Sequence, residues 1–382
     1  MMLTNADLVE LTAFRHALHR RPEVSGEERE TAATIVEALS ALRPDHVITG
    51  LGGHGVAAVF AAPAPGPTVM FRAELDALPI TELSGAAYAS ELPGRGHLCG
   101  HDGHMTILMA LARLLSRRPP AKGRVVLMFQ PAEEDGSGAA AVLADPRFAD
   151  VAPDWAFAIH NMPGVAIGEA LLAEGPANCA SMGLAMTFTG RTSHASQPEA
   201  GVSPAPALAE LIPALSALGQ GGALGPDFRL VTITHARLGE PAFGIAPGEA
   251  HLWATLRTLG DEGMADLLAS ATALAGDAAA RHGLSLSISH HDVFHACTND
   301  PEATAILARA LDACGIAHRP DDLPMRGSED FGRFGAQAKA AMVFLGSGRD
   351  HPRLHNPDYD FPDDLIPIGA RIFERIARDL LD

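Results

Sequence analysis

Four short apolar segments that each run into acidic or histidine residues constrain this sequence more than any other feature. They have the length and composition of buried β-strands, and they lie at residues 68–71, 125–129, 155–159 and 340–346. The residues that follow them in turn are Glu74 and Asp76, Glu133 and Glu134, His160, and His355. In an open α/β sheet the ligand crevice lies beyond the carboxyl ends of the strands. We therefore expect these carboxylates and imidazoles along one edge of one sheet.

The alternation of strand and helix patterns predicts an α/β fold class. A helical pattern at 105–115 separates two of the buried segments, which indicates a mostly parallel sheet covered by helices. Near residue 180 the pattern changes to apolar–polar alternation, which is typical of antiparallel strands with one solvated face. The buried pattern resumes near residue 290. We predict a discontinuous main domain, residues 1–181 and 290–382, interrupted by a smaller α+β domain, residues 182–289.

Two local features predict how the chain enters its helices. Ser25 followed three residues later by Glu28 has the spacing of a capping box, which would begin a helix there. The segment 96–104, GHLCGHDGH, is expected in the loop that precedes the 105–115 helix. In that position it would face the same sheet edge as the residues that follow the strands.

The residue types collected at this edge indicate a metal site. Cysteine, histidine and carboxylate together are the ligand set of a borderline-soft divalent ion, with zinc the default and manganese, cobalt or nickel as alternatives. The adjacent pair Glu133 and Glu134 has a further use. One carboxylate can bind the metal while the other takes a proton from a metal-activated water. That combination hydrolyses amides.

Composition and charge exclude several classes of partner. With 28 Lys and Arg against 46 Asp and Glu, the formal net charge of −18 repels nucleic acid and anionic lipid, so we predict a small-molecule substrate. No signal peptide precedes the first helix pattern, and no apolar run is long enough for a membrane helix. The four cysteines are too sparse and irregular for a disulfide framework. These features predict a cytoplasmic protein.

Eight segments of the chain resemble one enzyme family over nearly its whole length. The segments are FRHALHRRPEVSGEE (14–28), FRAELDALPI (71–80), GHLCGHDGH (96–104), FQPAEEDGSGA (129–139), AIHNMPG (158–164), TGRTSHASQP (189–198), RGSEDFGRFG (326–335) and LHNPDYDFPDD (354–364). They are similar to the zinc- or manganese-dependent amidohydrolases that include hippurate hydrolases, N-acyl-amino-acid aminoacylases and auxin-conjugate hydrolases. These enzymes are relatives of the dinuclear metallo-carboxypeptidases.

The resemblance implies a role for each matched residue around two divalent metal ions. The implied metal ligands are Cys99, His101, Glu134, His160 and His355, with Cys99 as the bridge. Glu133 would be the general base, and Asp76 would orient a ligand. Glu74 stands where the family usually has aspartate, which leaves its role open, and His104 and Asp102 are expected to be structural.

The resemblance also implies that the inserted domain is a lid and a dimerisation surface. His194 matches a lid histidine that approaches the scissile carbonyl, where it would stabilise the oxyanion. Arg257 lies on a lid strand where a cation would hold the substrate carboxylate, although ordinary surface pairing is the alternative. A homodimer or a higher homo-oligomer is implied. The chain departs from the family at Thr192-Ser193, at 197–199 and around Gly244, so substrate preference is not carried over.

These observations predict a hydrolase of the amide bond in N-acyl-L-amino acids or similar conjugates, and they leave two alternatives. The first is a thiol hydrolase in which Cys99 is the nucleophile and His101 or His104 its base, inactivated by alkylating agents and indifferent to chelators. The second is an inactive homologue that binds metal and ligand without turnover.

Overall fold

The structure, a computed structural model, describes residues 2–382 and forms two compact units. The large unit comprises residues up to Ala177, Cys297–Leu323 and Glu329–Asp382, and the small unit comprises Asn178–Ala296 and Pro324–Ser328. The eight helices of the described chain are α1 Asn5–His19, α2 Arg29–Ser40, α3 His101–Arg117, α4 Gly138–Ala144, α5 Ala205–Ala217, α6 Asp261–Arg281, α7 Pro301–Ala313 and α8 Leu365–Leu381. None of these helices combines the length and the apolar character needed to span a membrane.

The strands follow one another along both units. They are β1 His46–Leu51, β2 Gly55–Ala61, β3 Ala64–Glu74, β4 Lys122–Gln130, β5 Trp155–Pro163, β6 Glu169–Leu171, β7 Gly175–Asn178, β8 Ala180–Thr189, β9 Ser193–His194, β10 Arg229–Leu238, β11 Ile245–Ala246, β12 Glu249–Thr258, β13 Ser285–Phe294, β14 Cys297–Asn299, β15 Ala317–Arg319 and β16 Lys339–Gly348. Three short 3-10 helices, at Pro146–Asp150, Pro198–Ala200 and Asp330–Ala336, complete the described elements.

An eight-stranded mixed sheet forms the centre of the large unit. Its strand order is β1-β2-β4-β3-β5-β16-β6-β15. The four central strands, β4, β3, β5 and β16, pair in parallel with one another. Beyond their first residues they are mostly buried, as strands covered by helices are, and α3, α7 and α8 pack against them. The predicted α/β domain with a mostly parallel sheet is confirmed.

A separate antiparallel sheet forms the small unit. Its four strands lie in the order β10-β12-β8-β13, and α5 and α6 pack against them. Buried and exposed residues alternate along β12, because only one face of the sheet is covered. This arrangement is the α+β domain that the alternating pattern predicts.

Two local predictions are wrong, and both errors lie close to the candidate site. Helix α3 begins at His101 rather than at 105, because Gly100 adopts a left-handed conformation with φ of 94° and turns the chain directly into the helix. Ser25 does not cap α2. Its hydroxyl donates to Oδ2 of Asp76 at 2.7 Å, while Glu28 accepts from the backbone N–H groups of Gly26 and Ala132.

Candidate metal centre

The parallel strands deliver the predicted site residues to one edge of the sheet. Since β4, β3, β5 and β16 are parallel neighbours, their carboxyl ends meet at that edge. Asp76 follows β3, the Glu133–Glu134 pair follows β4, and His160 lies in the second half of β5. His355 lies in the segment between β16 and α8. The first turn of α3 adds His101, and Cys99 lies two residues before it.

Two groups of three side chains converge at this edge and share one residue. The first group is Cys99, His101 and His160, and the second is Cys99, Glu134 and His355. Within each group the candidate ligand atoms all lie within 4.8 Å of one another. In the first group, Sγ of Cys99 is 3.5 Å from Nε2 of His160. In the second, Nε2 of His355 is 3.6 Å from Oε2 of Glu134. One thiol thus lies where it can contact two ions.

Backbone carbonyls orient two of the imidazoles. Nδ1 of His101 lies 2.9 Å from the carbonyl oxygen of Asp76, and Nδ1 of His160 lies 2.8 Å from the carbonyl oxygen of Asn161. A carbonyl oxygen only accepts, so each Nδ1 carries a proton, and Nε2 is the nitrogen that each ring would offer to a metal. Histidines that bind metals are commonly oriented in this way.

Buried polar atoms without hydrogen-bond partners support a metal at this place. Nε2 of His101 and Oε1 of Glu134 are both buried and have no hydrogen-bond partner among the described residues. A buried polar atom without a partner is costly, and a divalent ion bound by cysteine, histidine and carboxylate would satisfy both atoms. The residues present therefore fit a metal.

Asp76 links the ligand-bearing segments to one another. Its Oδ2 accepts from the hydroxyl of Ser25 at 2.7 Å and from the backbone N–H of Glu134 at 2.9 Å. Burial alone would raise the pKa of Asp76, but the contact with His101 and the hydrogen bonds from Glu134 and Ser25 together outweigh burial and lower that pKa. The carboxylate therefore stays ionised and holds the turn that carries Glu134.

The electrostatic environment of the cluster favours a cation. Burial, together with the carboxylates of Glu329 and Glu134, raises the pKa of Glu133 well above its ordinary value. Burial also raises the pKa of Glu134 to about 7. The pKa of the Cys99 thiol is raised as well, because burial and the neighbouring glutamates hold it far above the usual range. Positive charge placed among these groups would reverse all three shifts.

His355 is held in an unusual backbone conformation. Its φ is 66°, in the left-handed region that residues other than glycine rarely occupy. Its backbone N–H donates to the carbonyl oxygen of Leu98 at 2.8 Å, which ties it to the segment that carries Cys99. Strain of this kind persists where the surroundings fix it, and it is concentrated at functional sites.

A buried arginine network next to Glu133 is the part of the site that sequence reasoning missed. The guanidinium of Arg72, on β3, contacts Glu74 and lies 2.9 Å from Glu329 and 2.6 Å from Asp330. The carboxylates of Glu133, Glu329 and Asp330 lie within 4.8 Å of one another. Arg72 is the sign of this network in the sequence, because it is a charged residue that follows directly on the buried apolar stretch of β3. Two of its acidic partners, Glu329 and Asp330, are more than 250 residues away in the sequence.

His104 and Asp102 are outside the two groups that share Cys99, although His104 forms a third candidate group with Glu74 and His101. Nδ1 of His104 lies 2.7 Å from Oε2 of Glu74, and its Nε2 lies 2.5 Å from Oδ1 of Asn161. Asp102 accepts from the buried guanidinium of Arg15 at 3.1 Å and contacts His19 at 2.8 Å. Both residues therefore have protein partners of their own.

The two remaining predicted site residues belong to the small unit. His194, on β9, is exposed, and its Nδ1 accepts from the backbone N–H of Ser196 at 3.1 Å. Arg257, on β12, donates to the carbonyl oxygen of Arg326 at 2.9 Å and contacts the hydroxyl of Ser328 at 2.8 Å. Burial lowers the pKa of Arg257.

Comparison with known proteins identifies the family of the chain. The model of peptidase family M20/M25/M40 matches residues 70–379. The N-acetyl-L-cysteine deacetylase of Bacillus subtilis is 30% identical over 98% of this chain and 88% of its own length. The hippurate hydrolase of Campylobacter jejuni is 29% identical over 96% of each chain.

Solved structures agree with this assignment. A dinuclear metal binding peptidase of the M20 family from Bacillus subtilis superposes with a TM-score of 0.82 at 25% identity, covering 99% of each chain. A putative aminohydrolase from methicillin-resistant Staphylococcus aureus has a TM-score of 0.86 at 26% identity, over 99% of this chain and 100% of its own. The resemblance drawn from the sequence motifs is thereby confirmed. The chain belongs to peptidase family M20/M25/M40 and is an amidohydrolase of that family.

Proposed function

We propose that this protein hydrolyses the amide bond of N-acyl-L-amino acids or similar amino-acid conjugates at a centre of two divalent metal ions. The observation that carries the proposal is the pair of three-residue groups that share Cys99. In this assignment His101 and His160 complete one ion's ligands, and Glu134 and His355 complete the other's. Zinc or manganese fits this donor set best, with cobalt or nickel as alternatives.

Glu133 is the proposed general base. When bound, the metal pair lowers the pKa of a water molecule toward ~7 and polarises the scissile carbonyl. Glu133 is in neither group that shares Cys99, yet its Oε2 lies 3.9 Å from Nε2 of His101. Its carboxylate is therefore free to accept the proton of the attacking water and to pass it to the leaving nitrogen as the C–N bond breaks.

Two residues of the small unit are proposed to act on the substrate. Because Nδ1 of His194 accepts a hydrogen bond from Ser196, the neutral ring carries its proton on Nε2 and can donate to the developing oxyanion. The partners of Arg257 are a backbone carbonyl and a hydroxyl, so its positive charge remains available for a substrate carboxylate. We also propose that residues 182–289 act as a lid and form the contact of a homodimer or larger homo-oligomer.

The relatives support the substrate class. Those described above are named as a deacetylase of N-acetyl-L-cysteine and a hippurate hydrolase, and others are named as N-acetyldiaminopimelate deacetylases. All three names describe an acylated amino acid.

The environment of Cys99 argues against the thiol-hydrolase alternative. A nucleophilic cysteine needs a lowered pKa, which is provided by cations, by a helix N-terminus or by an adjacent base. Cys99 does lie at the N-terminus of α3 and 3.5 Å from Nε2 of His160. Burial and three glutamates nevertheless raise its pKa. The same thiol is well placed to lose its proton to a bound cation.

The test is hydrolysis of a panel of N-acyl amino acids by the purified protein reconstituted with Zn²⁺ or Mn²⁺. The panel varies the acyl group from acetyl to benzoyl and the amino acid from neutral to acidic. We expect turnover of at least one class, abolished by a chelator and restored by adding the metal back. Activity that survives chelation but is lost on alkylation would favour the thiol hydrolase. Metal binding without turnover of any substrate would favour an inactive homologue.

A further inference from the structure

Four of the motifs at the site each supply a second residue to a hydrogen-bonded chain buried beneath the metal centre. FRAELD supplies Glu74, GHDGH supplies His104, AIHN supplies Asn161 and HNPDYDF supplies Tyr359. Glu74 and Tyr359 lie at the two ends, and all four side chains are almost completely excluded from solvent. The same four motifs carry Asp76, His101, His160 and His355. Three of the motifs therefore carry a proposed ligand, the fourth carries Asp76, which holds the turn of Glu134, and each also carries one residue of the hydrogen-bonded series.

The contacts along this chain are short and continuous. Oε2 of Glu74 lies 2.7 Å from Nδ1 of His104, and Nε2 of His104 lies 2.5 Å from Oδ1 of Asn161. The amide nitrogen of Asn161 donates to the hydroxyl of Tyr359 at 2.5 Å. This series of hydrogen-bonded side chains thus connects β3, α3, β5 and the segment that follows β16.

Asn161 is the member that touches the ligand-bearing backbone directly. Its carbonyl oxygen receives the Nδ1 proton of His160, which fixes the nitrogen that ring presents to the cluster. Its side chain lies against Gly100, the residue between Cys99 and His101, where a Cβ atom would overlap the side-chain oxygen of Asn161. One asparagine therefore supports His160 on one side and the Cys99–His101 turn on the other.

We propose that Asn161, held by His104 and Tyr359, is a positioning residue that sets the spacing of the three ligands Cys99, His101 and His160. The inference rests on the proposed metal centre and adds to it the residue that fixes its geometry. Asn161 reaches the metal only through the residues it holds. Removing a partner of this kind typically lowers metal affinity about 10- to 100-fold.

Asn299 provides a matched control in the same unit. It is equally buried, and its side chain makes three hydrogen bonds of 2.8 to 3.0 Å with Ala173 and Met342. None of its partners belongs to the ligand cluster. Asn161→Ala and Asn299→Ala therefore each remove one buried side-chain amide. Only the first of these amides lies next to the proposed metal ligands.

The experiment is titration of the metal-free protein with Zn²⁺ in competition with a chromophoric chelator, with thermal unfolding of each metal-free variant measured in parallel. We expect Asn161→Ala to weaken Zn²⁺ binding about 10- to 100-fold, and Asn299→Ala to lower the melting temperature while leaving Zn²⁺ affinity within about twofold of the original protein. Tyr359→Phe, which keeps the ring and removes only the hydroxyl, should weaken Zn²⁺ binding by a smaller factor. It also serves as the test if Asn161→Ala fails to fold.

Equal Zn²⁺ affinities in the original protein, in Asn161→Ala and in Tyr359→Phe would overturn the inference, as would equal losses of affinity in Asn161→Ala and Asn299→Ala. Failure of the proposed metal centre gives a different result, because the original protein itself would then bind no Zn²⁺, and failure of catalysis alone appears as Zn²⁺ binding without turnover. The two failures are therefore distinguishable in one titration series.

Discussion

The thiol of Cys99 lies 3.5 Å from Nε2 of His160, and His160 follows it by 61 positions in the sequence. The same thiol also lies within 4.8 Å of candidate ligand atoms of Glu134 and His355. These distances place one sulfur between two groups of ligands. If this sulfur were shared by two ions, the other ligands would have to be held in fixed orientations. The carbonyl oxygens of Asp76 and Asn161 hold two of the histidines in this way.

Replacement of Glu133 by Gln tests the general base. The substitution keeps the size of the side chain and removes its ability to accept a proton. We expect metal content to be unchanged and turnover to fall by about 10²- to 10⁴-fold, the usual contribution of a general base. Glu302→Gln, at a surface ion pair with Lys339, is the control and should leave turnover unchanged. Near-normal turnover in Glu133→Gln would refute the assigned role.

Replacement of His194 by Ala tests the small unit's contribution. Loss of one oxyanion donor typically lowers kcat by about 10²- to 10³-fold. We expect a fall of that order with the metal content intact, measured by steady-state kinetics and by mass spectrometry of the bound metal. A loss of metal instead would show that His194 acts as a ligand and that the oxyanion role is wrong.

His19 predicts how stability changes with pH. Burial alone would lower its pKa, but the carboxylates of Asp102 and Glu82 outweigh burial and raise that pKa to about 10. Since the folded-state pKa is above the unfolded value of about 6.5, the stabilisation is complete below pH ~6.5 and is lost as the pH rises through ~10. The free energy of unfolding, measured with denaturant, should therefore fall relative to His19→Gln over this range. A difference between the two proteins that stays constant with pH would contradict the assignment.

Arg72 should be essential to the stability of the large unit. Its guanidinium is the cation that contacts Glu74, Glu329 and Asp330, and all four side chains are buried. Arg72→Met leaves the three carboxylates without it, and breaking a buried ion pair in this way costs about 3–5 kcal/mol. Chemical denaturation of the metal-free protein measures this loss. A loss below about 1 kcal/mol would show that the carboxylates are neutral in the folded protein.

The sequence predicts the parts of this structure that depend on local pattern. Buried apolar runs predict the central strands, and the residues that follow them come together because parallel strands end at one edge. The start of α3 is missed because it depends on the left-handed conformation of Gly100, which the helix periodicity does not reveal. The roles of Arg72 and Asn161 are missed for another reason. Their partners are distant in sequence, and only the folded backbone shows that Asp330 and Tyr359 meet them.

Metal content per chain is the most direct test of the central claim. The protein is incubated with Zn²⁺ or Mn²⁺, desalted exhaustively and analysed by mass spectrometry alongside Cys99→Ala. Cys297→Ala, which removes a buried thiol that contacts Met342, is the matched control. We predict two retained ions in the original protein and in Cys297→Ala, and a sharp fall in Cys99→Ala. An original protein that retains no metal, or a Cys99→Ala variant that still retains two ions, would contradict the shared-cysteine centre.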